Sequence, residues 1–102
     1  MNVKSKSRNK STARGSISVA FTSHGWEDYQ FWEQSDGEVF RALNELIEEC
    51  RRTPHKGTGR PEPLKGDLSG FWSRRITREH RLVYFFEAEM LTILQCRYHY
   101  DK

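Results

Sequence analysis

Between Thr53 and Gly70 the chain gathers all three of its prolines (Pro54, Pro61, Pro63) and four of its seven glycines. No helix and no long strand survives that density of backbone breakers. The stretch divides the sequence into two parts of different character. Before it, apolar residues recur at helical spacing; after it, they alternate. Helices confined to one half and strands mostly to the other imply an α+β architecture, with two N-terminal helices packed on a mainly antiparallel sheet.

The elements follow from the same patterns. Ile17, Val19 and Phe21 alternate as a short strand. Ser23 is the expected cap of a first helix starting near Trp26, with Trp26, Tyr29 and Trp32 along one side as core aromatics. Ser35 and Glu38 stand at capping-box spacing, and Val39, Leu43, Leu46, Ile47 and Cys50 follow on one face. This second helix ends on Arg51 and Arg52, cations suited to its C-terminal turn, before Pro54. Beyond the loop, 71–77, 80–87 and 90–100 read as three strands joined by the short links Arg78-Glu79 and Ala88-Glu89. Cys50 and Cys96 fit neither a disulfide framework nor a zinc motif, and they read as buried free thiols.

Charge is segregated along the chain. Residues 1–16 hold five cations and no acid, with too few large apolar groups to fold. They read as a disordered basic tail ahead of one folded domain at 17–102. Residues 17–50 hold eight acids against one cation, whereas 51–86 hold nine cations against three acids. A basic centre beside an acidic helix offers a face to a polyanion, unless the opposite charges pair across the fold. No apolar run approaches the roughly 20 residues that cross a bilayer, and no secretory signal opens the chain, so a cytoplasmic protein is expected.

Alternation also sorts the C-terminal half by face. Arg81, Val83 and Phe85 oppose Leu82, Tyr84 and Phe86, while Gln95, Arg97 and His99 oppose Leu94, Cys96 and Tyr98. If the more apolar sets meet the helices, Arg81, Arg97 and His99 lie on the open face together with Ser73 and Arg75. The loop brings Glu62, held between Pro61 and Pro63, and adds the cations Arg60 and Lys65. A carboxylate, an imidazole and guanidinium groups suffice for RNA cleavage by the ribose 2′-hydroxyl with no metal or other cofactor. Each also has a plainer role: Glu62 as a solvated loop residue, Arg75 and Arg81 as partners of Glu79 or Glu87, His99 as a frayed terminal residue, and Arg60 and Lys65 as simple charge.

Longer stretches of sequence go further. Trp26-Glu27-Asp28-Tyr29, Asn44-Glu45-Leu46-Ile47, Arg51-Arg52-Thr53-Pro54, Gly59 through Lys65, Leu68 through Thr77, His80 through Tyr84 and Cys96-Arg97-Tyr98-His99-Tyr100 together resemble the YoeB/Txe branch of the RelE-type bacterial toxins. The resemblance spans about residues 17 to 100 and implies a microbial-RNase-like fold acting as a ribosome-dependent mRNA endonuclease. It implies Glu62 as general base, Arg81 as stabiliser of the phosphate, His99 as general acid and Tyr100 as an orienting residue, with Lys65 and Arg75 in support. It further implies silencing by a YefM/Axe-like antitoxin, homodimer formation, and contact with DNA only through that antitoxin.

Overall fold

The computed structural model describes residues 17–100. The basic tail expected over 1–16, and Asp101-Lys102, lie outside them. The order of elements is β1 (Ser18–Phe21), α1 (Ser23–Ser35), α2 (Gly37–Arg52), β2 (Glu62–Pro63), a 3₁₀ turn (Gly66–Leu68), β3 (Trp72–Arg75), β4 (Arg81–Glu87) and β5 (Met90–Gln95). The strands form one sheet in the order β1-β5-β4-β3-β2. Three of its pairings are antiparallel and the fourth, β1 on β5, is parallel. The α+β arrangement expected from the sequence is the one observed.

Both helix caps lie one residue away from the expected ones. Thr22, not Ser23, caps α1: its hydroxyl oxygen accepts the Gly25 N–H at 3.0 Å and donates to the Leu94 carbonyl at 2.9 Å. The helix therefore begins at Ser23 rather than near Trp26. Ser35 closes α1, and Asp36 caps α2 by accepting the N–H groups of Glu38 and Val39. A carboxylate at a helix N-terminus gains from the macrodipole as well as the hydrogen bonds, so Asp36 displaces the Ser35-based box.

The core lies between the helices and one face of the sheet. Leu43, Leu46, Ile47 and Cys50 of α2 meet Leu82 and Tyr84 of β4, Leu91 and Ile93 of β5, Cys96 and Trp32. Leu43 is wholly buried, which by itself contributes roughly 2 kcal/mol. Gly25 lets α1 touch β5, since a Cβ there would stand 2.6 Å from the Ile93 carbonyl oxygen. Of the three aromatics expected in the core, Trp32 is buried and Tyr29 packs against the core, but Trp26 stays 46% exposed, stacked on Tyr29 and edge-on to Phe21. Phe86 packs against the core, and Phe85, on the other face, meets Phe71 edge-on. Cys50 and Cys96 are free, buried thiols, as the sequence implied, and burial pushes Cys50 up to about 11.

The strands are shorter than their sequence patterns. β5 ends at Gln95 instead of Tyr100, after a register shift: Val83 pairs with Gln95 and Tyr84 with Ile93, leaving Leu94 as an extra residue. The bulge reverses the alternation, so Ile93 and Cys96 are buried and Leu94 is not. The Ala88-Glu89 link is a two-residue turn with both φ angles positive, +52° and +58°. That is the twist a tight antiparallel hairpin needs, achieved here without asparagine or glycine.

Candidate active site

Cross-strand register sets the open face. Glu62 pairs with Ser73, Ser73 with Val83 and Val83 with Gln95, giving one row across four strands. Two residues along, Arg75 pairs with Arg81. Residues paired in a ladder share a face, so Glu62, Arg75 and Arg81 project from the same side of the sheet. Ordinary strand spacing puts the Cα atoms of Glu62 and Arg81 about 12 Å apart, a gap their side chains can close around a phosphodiester. Glu62 and Arg75 are exposed, whereas Ser73 and Val83 in the middle of the row are buried.

Among the described residues, no carboxylate pairs with the cations of this face. Among the described residues the ion pairs are His24–Asp28, Arg51–Glu48 and Arg74–Glu49. Arg60, Lys65, Arg75, Arg81 and Arg97 take part in none of them, and the alternative pairing of Arg75 and Arg81 with Glu79 or Glu87 is not realised. Arg81 uses Nη1 alone, donating to the carbonyls of Thr77 at 3.1 Å, Arg78 at 3.1 Å and His80 at 3.2 Å. This aims a half-buried guanidinium from its own turn and leaves Nε and Nη2 without acceptors among the described residues. Such a group is suited to an incoming anion.

The loop that carries Glu62 is built around Arg74, a residue that sequence reading counted only as one more cation. Its side chain is fully buried on the helix side of β3, opposite in direction to Arg75. Nε donates to the Tyr84 hydroxyl at 3.1 Å, Nη1 to Glu49 Oε1 at 2.8 Å and the Thr58 carbonyl at 3.2 Å, and Nη2 to the carbonyls of Thr53 and, at 3.0 Å, Lys56. All five N–H groups of the guanidinium are matched to acceptors. The Tyr84 hydroxyl in turn donates to the Pro54 carbonyl at 2.6 Å. Residues 53–58 are thereby folded about one cation, and Glu49, which also accepts the Thr58 N–H, joins the loop to α2. The Thr58 bonds, with Arg74 adding to them against burial, hold the Glu49 carboxyl below its ordinary value. Next, the Gly59 carbonyl accepts the Arg75 N–H at 2.6 Å, with Gly59 at φ +85° and its missing Cβ 2.9 Å from the Arg75 carbonyl oxygen. Only glycine fits so close to β3.

The C-terminal segment is fastened at alternate residues. Cys96 is held by α1, its N–H donating to Asp28 Oδ2 at 3.0 Å and its carbonyl accepting Trp32 Nε1 at 2.8 Å. Tyr98 is held by β4, since the Arg81 N–H donates to its carbonyl at 3.1 Å. His99 and Tyr100 follow immediately, half-buried and with ring centroids 4.2 Å apart. Arg97 does not join the open face as alternation predicted. Beyond the bulge and the end of β5 its guanidinium lies over the Phe31 ring of α1 at 3.5 Å, and over Tyr98 at 4.6 Å. Arg60 and Tyr98 have positive φ, +53° and +63°, so a strained residue precedes both Glu62 and His99. Each such conformation costs about 1–2 kcal/mol, and functional sites are where such strain collects.

Comparison with known proteins covers most of the described chain. The family model of the YoeB-like toxins of bacterial type II toxin–antitoxin systems matches residues 21–100. A YoeB toxin from Streptomyces coelicolor is 58% identical over 82 residues, which is 80% of this chain and 98% of that toxin. A solved YoeB dimer from Staphylococcus aureus is similar at a TM-score of 0.78 and 38% identity, over 84% of this chain and 100% of that one. A heterotetrameric YoeB–YefM toxin–antitoxin complex, also from Staphylococcus aureus, gives 0.76 and 39% over 82% of this chain and 98% of the matched chain. This chain belongs to the YoeB-like toxins of bacterial type II toxin–antitoxin systems.

Proposed function

We propose that this toxin is an endoribonuclease that enters the ribosomal A site in the cytoplasm and cuts the mRNA there, arresting translation. Glu62 takes the proton of the ribose 2′-hydroxyl as the freed oxygen attacks the adjacent phosphorus. The bond from phosphorus to the 5′-oxygen breaks, and His99 gives that oxygen a proton. The products are a 2′,3′-cyclic phosphate and a 5′-hydroxyl. Arg81 binds the charge that builds on the phosphate, Tyr100 orients the substrate, and Arg60, Lys65 and Arg75 hold the strand on either side. Arg97 adds positive charge from the helix side. The chain's own groups supply base, acid and charge stabilisation, each worth on the order of 10² or more in rate.

The observation that supports this reading best is the placement of Glu62 with the Arg75–Arg81 pair on one sheet face, the two guanidinium groups free of carboxylate partners among the described residues. The solved YoeB–YefM complex and YoeB dimer support a reading of the protein partners. A YefM/Axe-like antitoxin would cover this basic face with an acidic segment, and the toxin itself forms a homodimer; DNA is reached only through the antitoxin.

The test is primer extension on a reporter mRNA in a reconstituted translation system, comparing wild type with Glu62→Gln, with and without ribosomes. Cleavage at the A-site codon that needs ribosomes and disappears in the variant is expected. Translation arrest without any cut would replace the nuclease by a blocker acting through occupancy.

A further inference from the structure

The residue just before Arg81 has no part in the chemistry above, yet it is tied to the segment that carries His99. His80 Nδ1 accepts the Tyr98 backbone N–H at 2.8 Å, and the Arg81 N–H donates to the Tyr98 carbonyl. Two consecutive residues thus hold both backbone polar groups of one residue. Tyr98 needs such a hold, because it adopts a left-handed φ of +63° with a side chain that is 54% exposed and does little to fix it. The His80 ring is itself located by Trp32 of α1, edge-on at 4.7 Å between centroids, and by the Tyr98 ring at 5.7 Å. Upstream, Cys96 is fixed to α1, so the path to His99 runs from one anchor through this clamp.

We propose that His80 is a positioning residue: by holding Tyr98 left-handed it sets the direction in which His99 and Tyr100 leave the sheet. The functional part of this inference rests on the nuclease reading given above. An Nδ1 that accepts a hydrogen bond carries no proton, so the ring is neutral with its proton on Nε2. The surroundings favour that state. Burial lowers the His80 pKa most, Arg97 and Arg81 push the same way, and Glu79 and Asp28 oppose them; the sum lies below the ordinary histidine value. As pH falls through that lowered value, Nδ1 gains a proton, faces the Tyr98 N–H donor to donor, and releases it.

The experiment compares the full-length wild type, His80→Asn, His80→Leu and the double variant His80→Leu/Tyr98→Gly. Two readouts are needed, hydrogen exchange of the Tyr98 amide by NMR and ribosomal mRNA cleavage across pH. In His80→Leu the amide should exchange at least about 10-fold faster, and kcat should fall roughly 10- to 100-fold with KM little changed, the effect of misplaced reacting groups. Glycine at 98 should recover part of that loss, since it adopts positive φ without penalty. Asparagine carries an acceptor near the position of Nδ1 that does not titrate, so His80→Asn should keep activity at neutral pH and lose the part of the acid limb due to His80. A folded His80→Leu that protects the Tyr98 amide and cleaves like wild type overturns the proposal; if that variant does not fold, an unaltered acid limb in His80→Asn does so. Should wild type fail to cut RNA, the nuclease reading falls, and amide protection alone decides the clamp: lost in His80→Leu it stands, equal in both it does not.

Discussion

Arg75 and Arg81 stand directly opposite one another in the β3–β4 ladder, two like charges where a sheet ordinarily places complementary ones. The fold tolerates this repulsion at the site where an RNA phosphate would relieve it. Arg75→Gln should therefore raise Tm slightly, by about 2–4 °C, while weakening ribosome-dependent cleavage. Thermal melts and cleavage rates on the same protein check it; a variant that lost both stability and activity would mean that Arg75 serves the fold.

Arg74→Met should behave in the opposite way. Its guanidinium is buried and its five donors are all used, so removal leaves carbonyls and a carboxylate without their partner, at a cost of about 3–5 kcal/mol. Against a total of roughly 5–15 kcal/mol, much of the variant should unfold under mild urea. Lysine should not rescue it, because three donors on a point charge cannot replace the five-pronged planar group.

Acid should find the same network through Glu49. Its folded-state pKa is depressed, so its contribution is complete above the unfolded value of about 4.3 and is lost as pH falls through the folded one. Glu49→Gln should be less stable than wild type at neutral pH and should lose less on going from pH 5 to pH 3. Urea midpoints across that range measure the difference.

Replacing Ala88-Glu89 by Asn-Gly should stabilise the β4–β5 hairpin by about 1 kcal/mol, since both residues have positive φ and a Cβ. Cleavage should not change, because this turn lies at the far end of β4 from Arg81. A drop in Tm would show that the turn is not of this type.

Deleting residues 1–14, which carry five cations, should lower ribosome affinity and make it less dependent on salt, with the cut position unchanged. An unaltered salt slope would remove the tail from binding.

Much of this arrangement was legible in side-chain order. The split at the Pro/Gly-rich loop separated helices from strands, and the Val39-to-Cys50 stripe located α2 because nothing competes with that periodicity. What alternation could not reveal was the extra residue Leu94, since a bulge is set by the partner strand, or the end of β5 at Gln95, beyond which Arg97 turns to Phe31 of α1 instead of following the strand. The caps failed where two capping residues are adjacent. Thr22 prevails over Ser23 through a bond to Leu94, seventy-odd residues away, that no local pattern contains. The loop and the parity of β3 and β4 were enough to put Glu62, Arg75 and Arg81 on one face, and His99 was a candidate from its parity and its imidazole, whereas Tyr100 entered only through family resemblance. Arg74 was missed although its parity, opposite to Arg75, already put a charge on the core side.

The parallel pairing of β1 with β5 has a mechanical meaning. A pull applied across residues 17–100 from their two ends would first free the Cys96 and Tyr98 anchors. It would then meet Ser18 at one end of the β1–β5 pair and Gln95 at the other. That geometry loads the hydrogen bonds of the pair in shear, all at once, instead of unzipping them singly. The contact between the first strand and the last, the strand pairing most distant in sequence, is thus the one placed to resist such a pull.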